Sequence, residues 1–461
     1  MPDMKELFSR NYTLELANET VAAGAEAVRN SPYSLRYHIT APCGWINDPN
    51  GLVRIDGRYH VFYQYFPYAS HWGPMHWGHA TSEDLAHWRH EPVALAPDKP
   101  YEKGCFSGSA VDDNGTLTIL YTADDPTNPI RETQCLVRSF DGGKTFVKSD
   151  LNPVIPCYPE GCTADFRDPK VWKQDGRWQM VCGTSHNGNG CVVLYTSDDL
   201  EHWEYRGIMA ESDGTMGFMW ECPNFCRVDG QDILMISPMG MEGHKNIALF
   251  GKFDCEAGRM TIDHWQDLDI GEHYYACQVM EDGDRTILFS WMNMWDTPDP
   301  SKEHGWCGAL TVPRVLSVRD GKLLQSPVPE LEALRGEQLI SGGCPNCVKK
   351  LSGDCVELKI GMTEGSFSLL SGESELLKVT VGGGQASFAL AGGKTVSAPL
   401  TLACENPGLH IFVDRSCIEV FVNGGEVSFT ERIFPTEGAF AYRASGSISA
   451  DAWTIKDAFG C

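Results

Sequence analysis

A repeat of about 57 residues, visible only in the turns, constrains the fold of this 461-residue chain more than any other feature. Ser82-Glu83-Asp84-Leu85, with Trp88 following, returns as Ser197-Asp198-Asp199-Leu200, with Trp203 following. Ser139-Phe140-Asp141-Gly142-Gly143 lies midway, and Phe253-Asp254 is a weaker echo. The aspartates at 84, 141, 199 and 254 stand 55 to 58 residues apart. Around them run short segments rich in β-branched and aromatic residues, such as VFYQYF (61–66), LTILYT (117–122), CVVLYT (191–196) and TILFSW (286–291). Gly, Asp and Asn clusters separate them, which is the pattern of strands joined by close turns. In all-β sequence this period is that of propeller blades, each a four-stranded sheet, and about five fit between residues 37 and 325. Hairpin turns can coincide by chance, but two of the four share the pattern S-x-D-L-x-x-W.

The flanks differ in character. Residues 13–29 carry Ala and Glu in helical proportions and predict one helix, ending near Ser31-Pro32 because proline disfavours helical geometry in the residue before it. Residues 326–340 turn briefly helical and break at Gly342-Gly343. Short alternating strands resume from 350 (VELKI, LLKVTV, LHIFVD, IEVFVN), in the number a β-sandwich needs. The expectation is an all-β protein. An N-terminal helical segment (1–36) precedes a five-bladed β-propeller (37–325), a linker (326–349) and a supporting C-terminal β-sandwich (350–461).

Charge narrows the partners. With 37 basic and 62 acidic residues, the net charge of −25 repels nucleic acid and anionic membranes, so a small neutral molecule fits best. No apolar run reaches the roughly 18–20 residues of a membrane span, and the N-terminal residues lack the apolar core of a signal peptide. A cytoplasmic protein with its 18 cysteines reduced is expected. Cys344 and Cys347, the one Cys-x-x-Cys pair, read as incidental without a second pair or a thioredoxin-like setting. His38, His71, His76 and His79 read as ordinary hydrogen-bonding side chains. No metal and no cofactor is expected, and the oligomeric state stays open.

The densest chemistry lies in Gly44-Trp45-Ile46-Asn47-Asp48-Pro49-Asn50-Gly51. Alone it could be a turn with a packed Trp. In the phase of the repeat, however, Asp48 is followed by Phe106-Ser107, Arg167-Asp168, Trp220-Glu221 and Tyr274-Tyr275, at steps of 53 to 62 residues. The innermost strand of each blade lines the central channel, so residues in one phase face each other across its mouth. Asp48, Asp168 and Glu221 should converge there. Three carboxylates could hold a hard cation, or act on a glycosidic bond as nucleophile and proton donor. The surroundings favour a sugar: Trp45, Trp72, Trp77, Phe106, Trp220, Tyr275 and Trp291 as apolar platforms, and Asn47, Gln64, Ser107 and Arg167 as hydroxyl partners.

At these residues the sequence resembles glycoside hydrolase family 32, the invertases, fructan exohydrolases and sucrose-6-phosphate hydrolases. W-I-N-D-P-N-G (45–51), Y-Q-Y (63–65), W-G-P-M-H-W-G-H-A (72–80), F-S-G-S (106–109), R-D-P (167–169), E-C-P-N (221–224), G-A-L-T-V-P-R (308–314) and D-R-S-C-I-E-V-F (414–421) match family landmarks in family order. The resemblance implies a five-bladed propeller with a C-terminal sandwich. It implies Asp48 as nucleophile, Glu221 as general acid/base and Asp168 as transition-state stabiliser. Asp168 and Arg167 would bind fructose hydroxyls, and Asn47, Gln64, Trp72, Phe106, Ser107 and Trp291 would line the fructosyl subsite. The implied reaction releases terminal fructose from sucrose, sucrose 6-phosphate or short fructo-oligosaccharides through a covalent fructosyl-enzyme. Neighbouring negative charge is expected to raise one carboxyl, helping to keep Glu221 protonated. Lys302, His304, His244 and Lys245 are candidate phosphate contacts at the rim. Cys43 and Cys222 flank two motifs, and thiol reagents are expected to inhibit. A fructosyltransferase and a non-catalytic sugar-binding protein are the alternatives, the second disfavoured because all three carboxylates are present.

Overall fold

Strand after strand in this chain is bounded by the turns read above, and the computed structural model joins them into seven sheets among the described residues (4–342, 348–404, 407–435, 440–446 and 449–460). Cys344 and Cys347 lie outside the described residues. Five of the sheets, from Gly44 to Pro327, are built on four antiparallel strands each, taken in chain order. Two of the five gain a short extra strand, Trp306–Cys307 and Ala309–Leu310. The first strands of the five sheets are Gly44–Ile55, Gly104–Asp113, Arg167–Gln174, Met219–Val228 and Tyr275–Asp282. Each touches the next, and the fifth touches the first, so the sheets form a ring around a central axis. Burial falls outward: Tyr59, Val61, Phe62 and Tyr63 on a second strand are buried, whereas the fourth strand Glu204–Glu211 begins with three exposed residues. This is a β-propeller.

The repeated turns have a local cause. Asp84 Oδ1 accepts from the backbone N–H of Ala86 and His87, at 3.0 and 2.8 Å. Asp141 Oδ1 does the same for Lys144 and Thr145, and Asp199 Oδ1 for Glu201 and His202. Each aspartate folds the turn between the third and fourth strands of its sheet, as Asx side chains do. Asp254 holds the N–H of Ala257 at the same place in the fourth sheet.

Two six-stranded antiparallel sheets pack face to face over a core that includes Val356, Phe367, Val379, Phe388, Ile411, Val420 and Phe429, giving the β-sandwich. The segment read as a linker is not bare chain: Pro329–Leu334 is a 3-10 helix, and Arg335–Ile340 pairs with Ser449–Ile455 in one sandwich sheet. The helix expected over 13–29 runs Leu14–Arg29, capped by the Thr13 hydroxyl oxygen, and a further short helix, Met4–Ser9, precedes it.

Buried charge joins the two units. Arg314 is fully buried and donates to Glu419 Oε2 (2.5 Å), Asp269 Oδ2 (3.2 Å), Gln325 Oε1 (2.9 Å) and Thr430 Oγ1 (2.6 Å). His38 lies between Asp414 and Glu419, 2.9 Å from each. Asp414 also accepts from the N–H of Arg36 and Tyr37. Leaving one such charge unpaired costs about 3–5 kcal/mol. The D-R-S-C-I-E-V-F stretch therefore works as a joint between units.

Candidate active site

Each innermost strand carries the same irregularity near its start. Three residues advance on it against two on its neighbour, a β-bulge: Ile46 to Pro49, Cys105 to Gly108, Arg167 to Lys170, Glu221 to Asn224, and Tyr275 to Gln278. The bulged residues therefore include Asp48, Ser107, Asp168 and Cys222. Asp168, Cys222 and Ala276 take positive φ (63°, 50° and 54°), strained backbone for residues with a side chain. The phase seen in the sequence is the phase of these bulges, which bring Asp48, Ser107, Asp168 and Glu221 of the first four innermost strands to one cavity, while the fifth places Tyr275 against Glu221.

Asp48 is held from both sides. Ser107 Oγ donates to its Oδ2 at 2.6 Å, and Asn47 Nδ2 to its Oδ1 at 3.0 Å; Asn47 is itself fixed by Trp45 Nε1 at 2.8 Å. Burial pushes the Asp48 carboxyl above its ordinary range, while the Ser107 and Asn47 hydrogen bonds pull it back. Asp168 accepts from the Cys222 N–H at 2.8 Å. Its side chain has acceptor atoms within 4.8 Å of those of Asp48 and of the Cys222 thiol. Burial above all, with the charges of Asp48 and Glu221 adding and Arg167 opposing, pushes the Asp168 carboxyl up to about 8. The upward shift thus falls on Asp168 and Asp48. Glu221 accepts from Tyr275 O–H at 2.6 Å and from Arg167 Nε at 3.1 Å. Arg167 is steadied in turn by Glu132 (2.8 Å) and Asp165 (3.0 Å).

A cavity of about 290 Å³ opens over these groups. Asn47, Asp48, Gln64, Trp72, Phe106, Ser107, Arg167, Asp168 and Glu221 all line it. Arg131 and Trp295 line it too and were not foreseen. Arg131 sits at positive φ (58°) after the hairpin turn beginning at Asp125, and Trp295 closes the run Trp291-Met-Asn-Met-Trp295, whose two tryptophans were the only hint. Tyr275 and Trp291 stand behind the wall: Tyr275 bonds to Glu221, and Trp291 is fully buried against Trp45 and Trp295. Trp77 and Trp220, read as platforms, are core residues whose Nε1 groups donate to Phe106 O and Met216 O. Of the rim candidates, Lys302 lies 5.6 Å over the Trp45 ring, while His304 packs on Tyr33, His244 bonds to Asp267 and Lys245 to Glu272 O. Cys43 is buried under the N-terminal helix against Gly24 and away from the cavity, whereas Cys222 Sγ is 3.7 Å from Asp48 Oδ2.

The raised Asp168 carboxyl has a measurable consequence for stability. Between about pH 4 and about pH 8 the folded chain holds a proton there that the unfolded chain has released, so folding loses free energy as pH rises through that window. Asp168→Asn removes the titration. Its melting temperature should match that of the wild type near pH 4 and exceed it by several degrees at pH 8. A Tm difference that stays constant across the window contradicts the assignment.

Paired carboxylates in one small pocket, with hydroxyl-binding amides and aromatic walls, on a propeller joined to a sandwich, define a glycoside hydrolase. Comparison with known proteins agrees. A family model for the glycosyl hydrolase family 32 N-terminal domain matches residues 38–327, and one for the family 32 C-terminal domain matches residues 374–456. The chain is 39% identical to a sucrose-6-phosphate hydrolase of Escherichia coli, covering 88% of this chain and 90% of that protein. It is 40% identical to a raffinose invertase of Escherichia coli, covering 87% and 89%. A mutant family 32 β-fructofuranosidase of Bombyx mori, solved in complex with sucrose, superposes with a TM-score of 0.90 at 33% identity, covering 97% of this chain and 99% of that one. The chain belongs to glycosyl hydrolase family 32.

Proposed function

We propose that this chain is a retaining β-fructofuranosidase that acts on sucrose and short β-fructosides. The observation that carries the reading is the convergence of Asp48, Asp168 and Glu221 on one cavity, with Asp48 and Glu221 in different hydrogen-bonded settings. Asp48, fixed by Ser107 and Asn47, attacks the anomeric C2 of fructose. Glu221, oriented by Tyr275 and Arg167, gives its proton to the leaving glycosyl oxygen. An oxocarbenium-like transition state collapses to a fructosyl-enzyme, and Glu221 then activates water to release fructose with retention. Asp168 and Arg167 hold the fructose hydroxyls, and Asn47, Gln64, Trp72, Phe106 and Ser107 shape the subsite. Transfer to a second sugar shares the intermediate and remains the alternative outcome for it. We assign five blades to the propeller, one per sheet of the ring, and put the boundary between units near 328–334. A cytoplasmic setting suits the free thiols of the described cysteines.

The charge of the site selects among substrates. Arg131 is spoken for by Asp124 at 2.9 Å, and Arg167 by Glu132, Asp165 and Glu221. The two guanidinium groups that line the cavity are thus already committed to carboxylates, and neither offers an unpaired charge to a phosphate dianion. In parallel release assays, kcat/KM on sucrose should equal or exceed that on sucrose 6-phosphate. A preference of about tenfold or more for the phosphorylated sugar, worth about 1.4 kcal/mol in the transition state, overturns this choice of substrate.

A further inference from the structure

The matched family models leave residues 1–37 uncovered, yet the beginning of that segment reaches the site. Leu7, in the helix Met4–Ser9, is buried in a cluster with Tyr12, Trp45, Phe66 and Met75, against which Trp72 and Phe106 pack. The Phe8 ring lies 6.0 Å from that of Trp72, tilted by 52°. Trp72 in turn lies 6.1 Å from Phe106, edge to face. Trp72 and Phe106 both line the cavity. The arm is tied down just behind Phe8: Tyr12 O–H donates to Leu7 O at 3.1 Å, and its ring packs on Tyr68 at 5.0 Å and edge-on to His76 at 5.4 Å.

A helix of six residues does not persist in water by itself, so this one exists because of what it packs on. The dependence runs both ways. The Trp72 indole has the Phe8 and Phe106 rings as neighbours, and a side chain on a pocket wall is held in place by what it packs on. The cavity, about 290 Å³, is at the low end of ligand pockets, so a small swing of one wall changes what fits.

We propose that the N-terminal arm, Met4–Tyr12, is part of the substrate site: Phe8 holds Trp72 against Phe106, sets the width of the pocket mouth, and so favours a disaccharide over longer fructosides. This rests on the fructosidase reading above. Phe8 touches Trp72 and not the carboxylates, so it is a positioning residue, and its loss acts on binding more than on bond cleavage.

The test compares wild type, Phe8→Ala, Phe8→Leu and a chain lacking residues 1–10 on sucrose and 1-kestose, with thermal unfolding recorded for each. In Phe8→Ala, KM for sucrose rises about fivefold or more while kcat stays within about twofold. The ratio of kcat/KM for 1-kestose over sucrose rises at least about threefold, the truncated chain shows the same trend, and Phe8→Leu recovers most of the wild-type values. Should the truncated chain fail to fold, folded Phe8→Ala decides alone. Unchanged KM and an unchanged ratio in folded Phe8→Ala overturn the proposal, as does a fall in kcat at constant KM. A wild type that hydrolyses neither sugar overturns the fructosidase reading itself, and the arm's role with it.

Discussion

Asp48→Ala is expected to hydrolyse sucrose at least about 10⁴-fold more slowly than the wild type while keeping its fold. The size of the loss follows from the role. Without the carboxylate no covalent fructosyl-enzyme forms, and water has no positioned route to C2 in its place. The fold survives because Asp48 is an upward-shifted carboxyl whose burial works against its charge, so that removing it relieves a cost. Ser107 and Asn47 lose an acceptor at the cavity surface, where solvent replaces it. Rates of Asp48→Ala and wild type, with circular dichroism to check the fold, decide the matter. A folded variant within about a hundredfold of the wild type would remove Asp48 from the role of nucleophile.

Glu221→Ala is expected to lose about 10³- to 10⁴-fold in kcat on sucrose, and the loss should depend on the leaving group. Protonating the glycosyl oxygen matters most when the departing group is a poor one, such as the glucose of sucrose. An aryl β-fructoside, whose phenolate leaves without help, should recover most of the lost rate of the first step. Its fructosyl-enzyme should then accumulate, because in the proposed mechanism Glu221 is also the base for the second step. The hydrogen bonds of Glu221 to Tyr275 and Arg167 fix the direction of its carboxyl, so Glu221→Gln, which preserves the shape, should be nearly as inactive on sucrose as Glu221→Ala. Equal losses on sucrose and the aryl fructoside would mean that Glu221 is not the proton donor.

Much of this was legible in the sequence because its cause is local. Asp84, Asp141 and Asp199 show the repeat because each folds its own turn through its own side chain. The fifth sheet shows no such aspartate because its last hairpin turns tightly at Asp320-Gly321, both at positive φ. Asp48, Asp168 and Glu221 shared a phase because each innermost strand bulges at the same height. What stayed hidden depends on direction and on distant partners. An indole does not announce which way it faces, so the core residues Trp77 and Trp220 looked like sugar platforms. Tyr275 reads as a ring for a sugar face, and nothing in the sequence signals that its hydroxyl bonds to Glu221. Arg131 and Trp295 come to the cavity on loops whose course no periodicity sets. The Phe8–Trp72 contact joins residues far apart in the chain, and nothing in either neighbourhood points to the other.

The double displacement through Asp48 is tested most directly by trapping. Glu221→Ala is incubated with an aryl β-fructoside, quenched in acid, digested and mapped by mass spectrometry. The predicted result is a peptide containing Asp48 that carries the added mass of one fructosyl unit, absent from the double variant that also carries Asp48→Ala. An adduct on another residue, or no adduct together with fructose released in inverted configuration, would contradict it.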